Sequence, residues 1–186
     1  MLIRNYGHLW ERKYISWGRG NVRGHLLGYY DGDHKRVVDF REQIGIYVLF
    51  DANLAPVYVG QAGNGHRKLF DRLKQHETDH LWNRWEHFSW FGFRRANKNR
   101  SLSAYDDSSK IFKATGTQLL NEIEGALITA LEPKLNKQGA RWKDVEEYYQ
   151  EVDGEVEEIT TDDLSVKLDG IQKQLQEIDK RLRNKR

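Results

Sequence analysis

The chain has 186 residues, 38% of them hydrophobic, with six Trp, nine Tyr and seven Phe; this suffices for one medium-sized core and argues against disorder. It contains no cysteine, which excludes disulfides, thiolate metal sites and a thiol nucleophile and makes the cytoplasm the default location, while no stretch approaches the roughly 18 apolar residues of a membrane helix and the first thirty residues lack a signal-peptide pattern. The net charge of +2 conceals an asymmetry: residues 1–140 carry 21 basic against 15 acidic side chains, residues 141–163 carry 2 against 10, and residues 164–186 carry 7 against 3. A mildly basic body followed by an acidic stretch and a basic tail is compatible with a polyanionic partner.

Residues 1–44 are interrupted every few positions by Gly or Asp and read as an N-terminal extension of short strands and turns. "GIYVLF" (45–50) and "PVYVG" (56–60) are β-branched and aromatic, and the turn-forming "DANLA" between them predicts a hairpin. Strand alternation puts Tyr47 opposite in face to Ile46 and Val48, and Tyr58 opposite to Val57 and Val59, so both phenols emerge together if the branched residues are buried. "RKLFDRLKQHE" carries Leu69 and Leu73 at helical spacing; Arg72 and His76, four apart, share a face beside them. "HFSWFGFRR" predicts a third strand, and the polar residues 94–117 a long loop.

"TQLLNEIEGALITALEP" predicts a helix with Leu119, Ile123, Ala126, Leu127 and Ala130 along one stripe, stopped by Pro133. Glu124, with Leu120, Leu127, Ile128 and Leu131 as its helical neighbours, falls at the edge of that stripe, where an unpaired charge is costly and a metal ion is one natural partner. Glu122 is the poorer candidate. Gly125 costs about 1 kcal/mol relative to Ala within a helix, which suggests the close approach of another element or of a substrate. Residues 141–163 read as an acidic linker. Leu164, Leu168, Ile171, Leu175, Ile178 and Leu182 are spaced as a heptad seam, so residues 164–186 predict a coiled-coil helix that joins a second copy, another protein or its own domain.

The ordered set Gly45-Ile46-Tyr47, Tyr58-Val59-Gly60, Arg72 with His76, and Glu124 with Asn136 resembles the GIY-YIG nuclease superfamily over residues 44–137. The second signature reads YVG rather than YIG, and the connection to the arginine helix is lengthened by "GNGHRKLF". The resemblance implies an α+β fold, a small three-stranded antiparallel sheet flanked by helices spanning residues 45–140, and an endonuclease that hydrolyses phosphodiester bonds in nucleic acid, DNA before RNA. It also implies roles: Glu124 holding Mg²⁺ or Mn²⁺, Arg72 on the scissile phosphate, Tyr47 as general base or water-orienting group, His76 as proton relay, Tyr58 positioning phosphate or water, and Asn136 supporting the site. Arg67, Lys68, Lys74, Arg94, Arg95, Lys98 and Arg100 are the candidate phosphate contacts.

Two other readings compete. A non-catalytic nucleic-acid-binding or scaffold subunit would keep the fold and join a complex through its coiled coil. "HETDH" (76–80) matches the zinc-protease pattern H-E-x-x-H, with His76 and His80 as ligands and Glu77 as base. Its long form expects Gly and His at positions where this chain has Asn83 and Glu86.

Overall fold

The computed structural model describes residues 2–30, 33–63, 67–104, 116–132, 139–140, 142 and 144–152. In chain order the elements are β1 (Asn5–Glu11), a short 3-10 turn (Arg12–Tyr14), β2 (Leu27–Tyr30), β3 (Asp33–Asp39), β4 (Gly45–Phe50), β5 (Pro56–Ala62), α1 (Leu69–Gln75), β6 (His87–Gly92), α2 (Gly116–Leu131) and β7 (Glu146–Gln150). The seven strands form one sheet in the order β3-β2-β7-β1-β6-β4-β5. β7 runs parallel to β1 and every other pairing is antiparallel.

This overturns the expected architecture of a small three-stranded sheet flanked by helices. Strands β5, β4 and β6 are adjacent, but four more continue the same sheet, and the described residues are mostly β with two α-helices. The N-terminal segment supplies three of those strands. The acidic stretch supplies a fourth: Tyr148 of β7 is buried in the core, its ring packed on Phe40 at 4.7 Å. Glu146 and Glu147 there are side chains of a pleated strand and not of a linker. The chain divides into two compact units, Met1–Val156 and Glu157–Arg186; the heptad seam and its partner lie outside the described residues. Among the described residues no helix is long and apolar enough to cross a membrane.

Alternation along β4 divides the interior in two. Tyr47 and Leu49 face a core that holds Leu69, Phe70 and Leu73 of α1 together with Trp10, Phe40, Trp85, Phe88 and Trp90. Val48 and Phe50 face the opposite core, with Ile3, Phe91 and the α2 residues Ala126 and Ala130. The two helices therefore cover opposite faces of the sheet.

α1 is short, and its placement comes from its ends. The Asp71 carboxylate accepts the Lys68 N–H at 3.0 Å, and the Leu69 N–H donates to the Gln43 carbonyl at 2.9 Å, which satisfies donors that a helix start leaves open. Gln43 is itself buried; its amide donates to Asn5 Oδ1 and to the Arg94 carbonyl, both at 2.9 Å, and its Oε1 accepts the Arg94 N–H at 3.0 Å. This polar network ties the loop before β4 to the end of β6 and so fixes where α1 begins.

α2 packs through small residues and not through its large ones. Leu120, Ile123, Leu127 and Leu131 are exposed, whereas Glu122 and Ala126 are 4% exposed. The expected apolar stripe is thus rotated: of its described side chains, Ala126 and Ala130 face the sheet and Ile123 and Leu127 do not. Glu122 is buried because its Oε2 accepts the backbone N–H groups of Leu2 at 2.6 Å and Ile3 at 2.8 Å, which satisfies its charge with charge-assisted bonds. Gly125 has the close neighbour its cost suggested: a Cβ there would run into the Trp142 indole.

Candidate functional site

Both glycines of the paired signatures have a packing reason. Gly45 has φ +148° and pairs with Gly92 of β6, and a Cβ on it would fall on the Phe91 carbonyl oxygen. Gly60 stands directly across from Tyr47 in the β4–β5 ladder, and the space where its Cβ would be is filled by the Tyr47 phenol. With no side chain at 60, the ring lies over the β5 backbone and its hydroxyl turns toward the end of α1.

That hydroxyl meets His76. Tyr47 donates its O–H to His76 Nε2 at 2.9 Å, and His76 Nδ1–H donates to Asp79 Oδ2 at 2.7 Å. An ionised carboxylate only accepts, so Nδ1 carries the proton and Nε2 is left as the acceptor. Asp79 is held in turn by the Leu81 N–H on its other oxygen at 2.8 Å. Partial burial works against its charge, but the Leu81 N–H, the His76 imidazole and nearby His80 outweigh it and hold the carboxyl below its usual range. Tyr58 completes the cluster: its ring lies edge-on to His76 at 4.9 Å and 6.2 Å from the Tyr47 ring.

Exposure separates the two phenols. Tyr47 is 0% exposed and His76 2%, while Tyr58 is half-buried. Burial pushes the Tyr47 phenol up to about 12, with the charge of Arg72 pulling it down and Tyr58 pushing it further up. The guanidinium of Arg72 favours the ionised phenol, but desolvation overrides it. Burial also raises Tyr6 and Tyr148, assisted by Glu147 and Glu146 respectively. The unfolded chain releases these protons near pH 10, whereas folded Tyr47 keeps its own until about 12. Stability is therefore expected to fall as pH rises through that window, by at most about 1.4 kcal/mol per pH unit per tyrosine. Urea midpoints at about pH 9 and about pH 11 should show a smaller drop for Tyr47→Phe than for the unsubstituted chain; equal drops would mean that this phenol ionises normally.

Arg72, on the same helix, lies beside the Tyr47 phenol. Its guanidinium donates to Gln75 Oε1 at 2.8 Å, and its Nε is buried without a hydrogen-bond partner among the described residues. Four of the six expected site residues thus converge: Tyr47, Tyr58, Arg72 and His76. Asn136 lies outside the described residues.

Glu124 does not join them. It is exposed on α2, which covers the other face of the sheet, so the carboxylate expected to hold Mg²⁺ or Mn²⁺ is separated from the phenols by the sheet. Among the described residues no group of three or more His, Asp or Glu side chains could hold a metal ion, and Asp79, the carboxylate bonded into the cluster, is engaged by His76 and Leu81. The described donor set does not fit the divalent ion that the resemblance implies. Nor does it fit zinc through the protease pattern. α1 ends at Gln75, His76 uses both ring nitrogens, and Glu77 pairs with Arg12 at 2.6 Å.

The expected phosphate contacts divide as well. Arg94 is structural: its guanidinium donates to the carbonyls of Ser103 at 2.6 Å and Glu42 at 2.8 Å. Lys74 donates to the Trp17 carbonyl at 2.9 Å. Arg95, Lys98 and Arg100 are exposed on the segment closed by the Ala96–Leu102 bridge, and Lys68 is half-buried at the start of α1. Arg67 shares the Gln75 oxygen with Arg72. Asp79 is the one member of the cluster that the sequence reading passed over, and its signal was the His-x-x-Asp spacing just past the helix end.

Compared with known proteins, the chain matches no family model, no curated protein and no solved structure.

Proposed function

We propose that the chain is a phosphodiesterase acting on nucleic acid, DNA before RNA, through the cluster of Tyr58, Tyr47, His76, Asp79 and Arg72. The observation that carries this reading is the continuous hydrogen-bonded line from the Tyr47 phenol through the His76 imidazole to the Asp79 carboxylate, with a guanidinium alongside.

Hydrolysis needs a proton acceptor for the attacking water and a positive charge for the developing phosphorane. Tyr47 is buried, so it cannot meet the water itself; half-buried Tyr58 is the group at the surface of the line. On this reading Tyr58 takes the water proton, Tyr47 and His76 carry it inward, and Asp79 stabilises the imidazolium that forms. The water oxygen bonds to phosphorus, the ester oxygen leaves, and the relay returns the proton to the leaving alkoxide. Arg72 supplies the charge. No step is routed through a metal ion.

The test is cleavage of supercoiled plasmid by the full chain in EDTA, Mg²⁺ and Mn²⁺. Arg72→Ala and His76→Ala are expected to lower the rate by about 10²-fold or more. Glu124→Ala, on the far face, is expected to leave it within about twofold. A large loss with Glu124→Ala would return the metal ligand to that position and sink the arrangement above.

The complete burial of Tyr47 favours one second reading, a nucleic-acid-binding module in which the same line serves only packing. It forecasts strand binding without cleavage under any of the three conditions.

A further inference from the structure

Arg67 precedes α1 and Arg72 lies within it, yet their guanidinium groups converge on one atom: Arg67 donates to Gln75 Oε1 at 3.2 Å and Arg72 to the same oxygen at 2.8 Å. Gln75 is the last residue of α1, three residues on from Arg72 and so on the same helix face.

The partner type is informative. Two guanidinium groups that share an acceptor stand close enough to repel, and a carboxylate would be the ordinary way to relieve that repulsion. Here the shared acceptor is a neutral amide, which positions both groups and neutralises neither. Each guanidinium has five N–H donors in a planar fork, so several remain unspent among the described residues. The buried Nε of Arg72 makes no hydrogen bond to any of them. Such a pair is an anion receptor, and the anion it fits best is one with several oxygens in a tetrahedral array, since Arg forks match phosphate oxygens two at a time. The Tyr47 phenol beside Arg72 places the receptor next to the proposed reacting centre.

We propose that Gln75 organises Arg67 and Arg72 into a two-guanidinium clamp for a phosphate of the nucleic-acid strand, which supplies the charge neutralisation at this site without a divalent ion. The inference rests on the reading of the cluster as a phosphodiester site, and it accounts for the misfit of Glu124: the charge assigned to a bound metal comes from a second arginine. The sequence reading gave Arg72 the scissile phosphate and Arg67 a separate phosphate contact; the geometry joins the two through Gln75.

The experiment measures binding of a fluorescein-labelled DNA strand of about 20 nucleotides by anisotropy over a salt series, with plasmid cleavage followed in parallel. The full chain is expected to bind equally in EDTA and in Mg²⁺. Arg67→Ala should weaken binding about tenfold and reduce the slope of log affinity against log salt by about one. Gln75→Ala should weaken binding less than Gln75→Glu does, because a carboxylate at 75 would pair with both guanidinium groups and compete with the phosphate. Arg67 and Gln75 are exposed, so thermal midpoints should stay put and separate lost binding from lost folding. Unchanged affinity and salt slope in Arg67→Ala, or binding that disappears in EDTA, would overturn the clamp. Tight binding that depends on Arg67, without cleavage, supports the clamp and removes the hydrolytic reading; cleavage indifferent to Arg67 does the reverse.

Discussion

Asp79→Asn is expected to slow phosphodiester cleavage by about 10²- to 10⁴-fold while strand affinity stays within about twofold. The carboxylate accepts from His76 Nδ1 at 2.7 Å and from the Leu81 N–H at 2.8 Å. An asparagine keeps the shape and can keep the Leu81 bond through its carbonyl, but it then presents an NH₂ to the imidazole. The favoured tautomer reverses, Nε2 acquires the proton, and it can no longer accept from the Tyr47 phenol. The imidazolium formed during proton transfer also loses its countercharge. The carboxyl is held below its usual range, so the unsubstituted chain keeps this countercharge at neutral pH, where the two rates are compared. A rate for Asp79→Asn equal to that of the unsubstituted chain would leave the His76–Asp79 contact with a folding role only.

Gly45→Ala should destabilise the fold by about 3 kcal/mol or more, read as a shift in the urea midpoint. Its φ of +148° is a conformation that side chains rarely adopt, and the added methyl would overlap the Phe91 carbonyl oxygen. That oxygen is main chain in a neighbouring strand, so it cannot swing aside as a flexible side chain could. Gly60→Ala is milder, about 1–3 kcal/mol, because what it meets is the Tyr47 ring and hydroxyl. Adding Tyr47→Phe to Gly60→Ala should recover part of that loss, since the two groups compete for one space. A midpoint for Gly45→Ala unchanged from that of the parent would contradict the pairing of β4 with β6.

The β4–β5 hairpin, β6 and both helices were legible because each has a strong periodicity of its own, and the meeting of Tyr47, Tyr58, Arg72 and His76 follows from the hairpin face and the four-residue helical step. Four features escaped for physical reasons. "EEYYQ" carries two carboxylates in five residues, so composition masked a strand that buries Tyr148 alone; its ladder partners lie over a hundred residues away, where local pattern gives no help. The inner face of α2 was misread because hydrophobicity ranks Leu and Ile above Ala, whereas close packing against Trp142 and the sheet selects Gly125, Ala126 and Ala130. Glu122 and Glu124 exchanged roles with that rotation: the backbone N–H groups of Leu2 and Ile3 determine which carboxylate is inside, and nothing near Glu122 in the sequence announces them. Asp79 was hidden by a competing motif, as a poor helix former inside a zinc pattern that the chain does not fold as a helix.

The last described strand, β7, is seated in the middle of the sheet, between β2 and β1. As the polypeptide leaves the ribosome, β1, β6, β4 and β5 can assemble among themselves, and β2 can zip with β3, but no strand ladder joins the two blocks until residue 150 has emerged; only side-chain packing such as Phe40 on Trp90 spans them. Nascent molecules therefore pass through an interval with two raw strand edges facing each other, a state prone to capture by chaperones or by identical neighbours. A premature stop codon upstream of residue 146 would make that interval permanent.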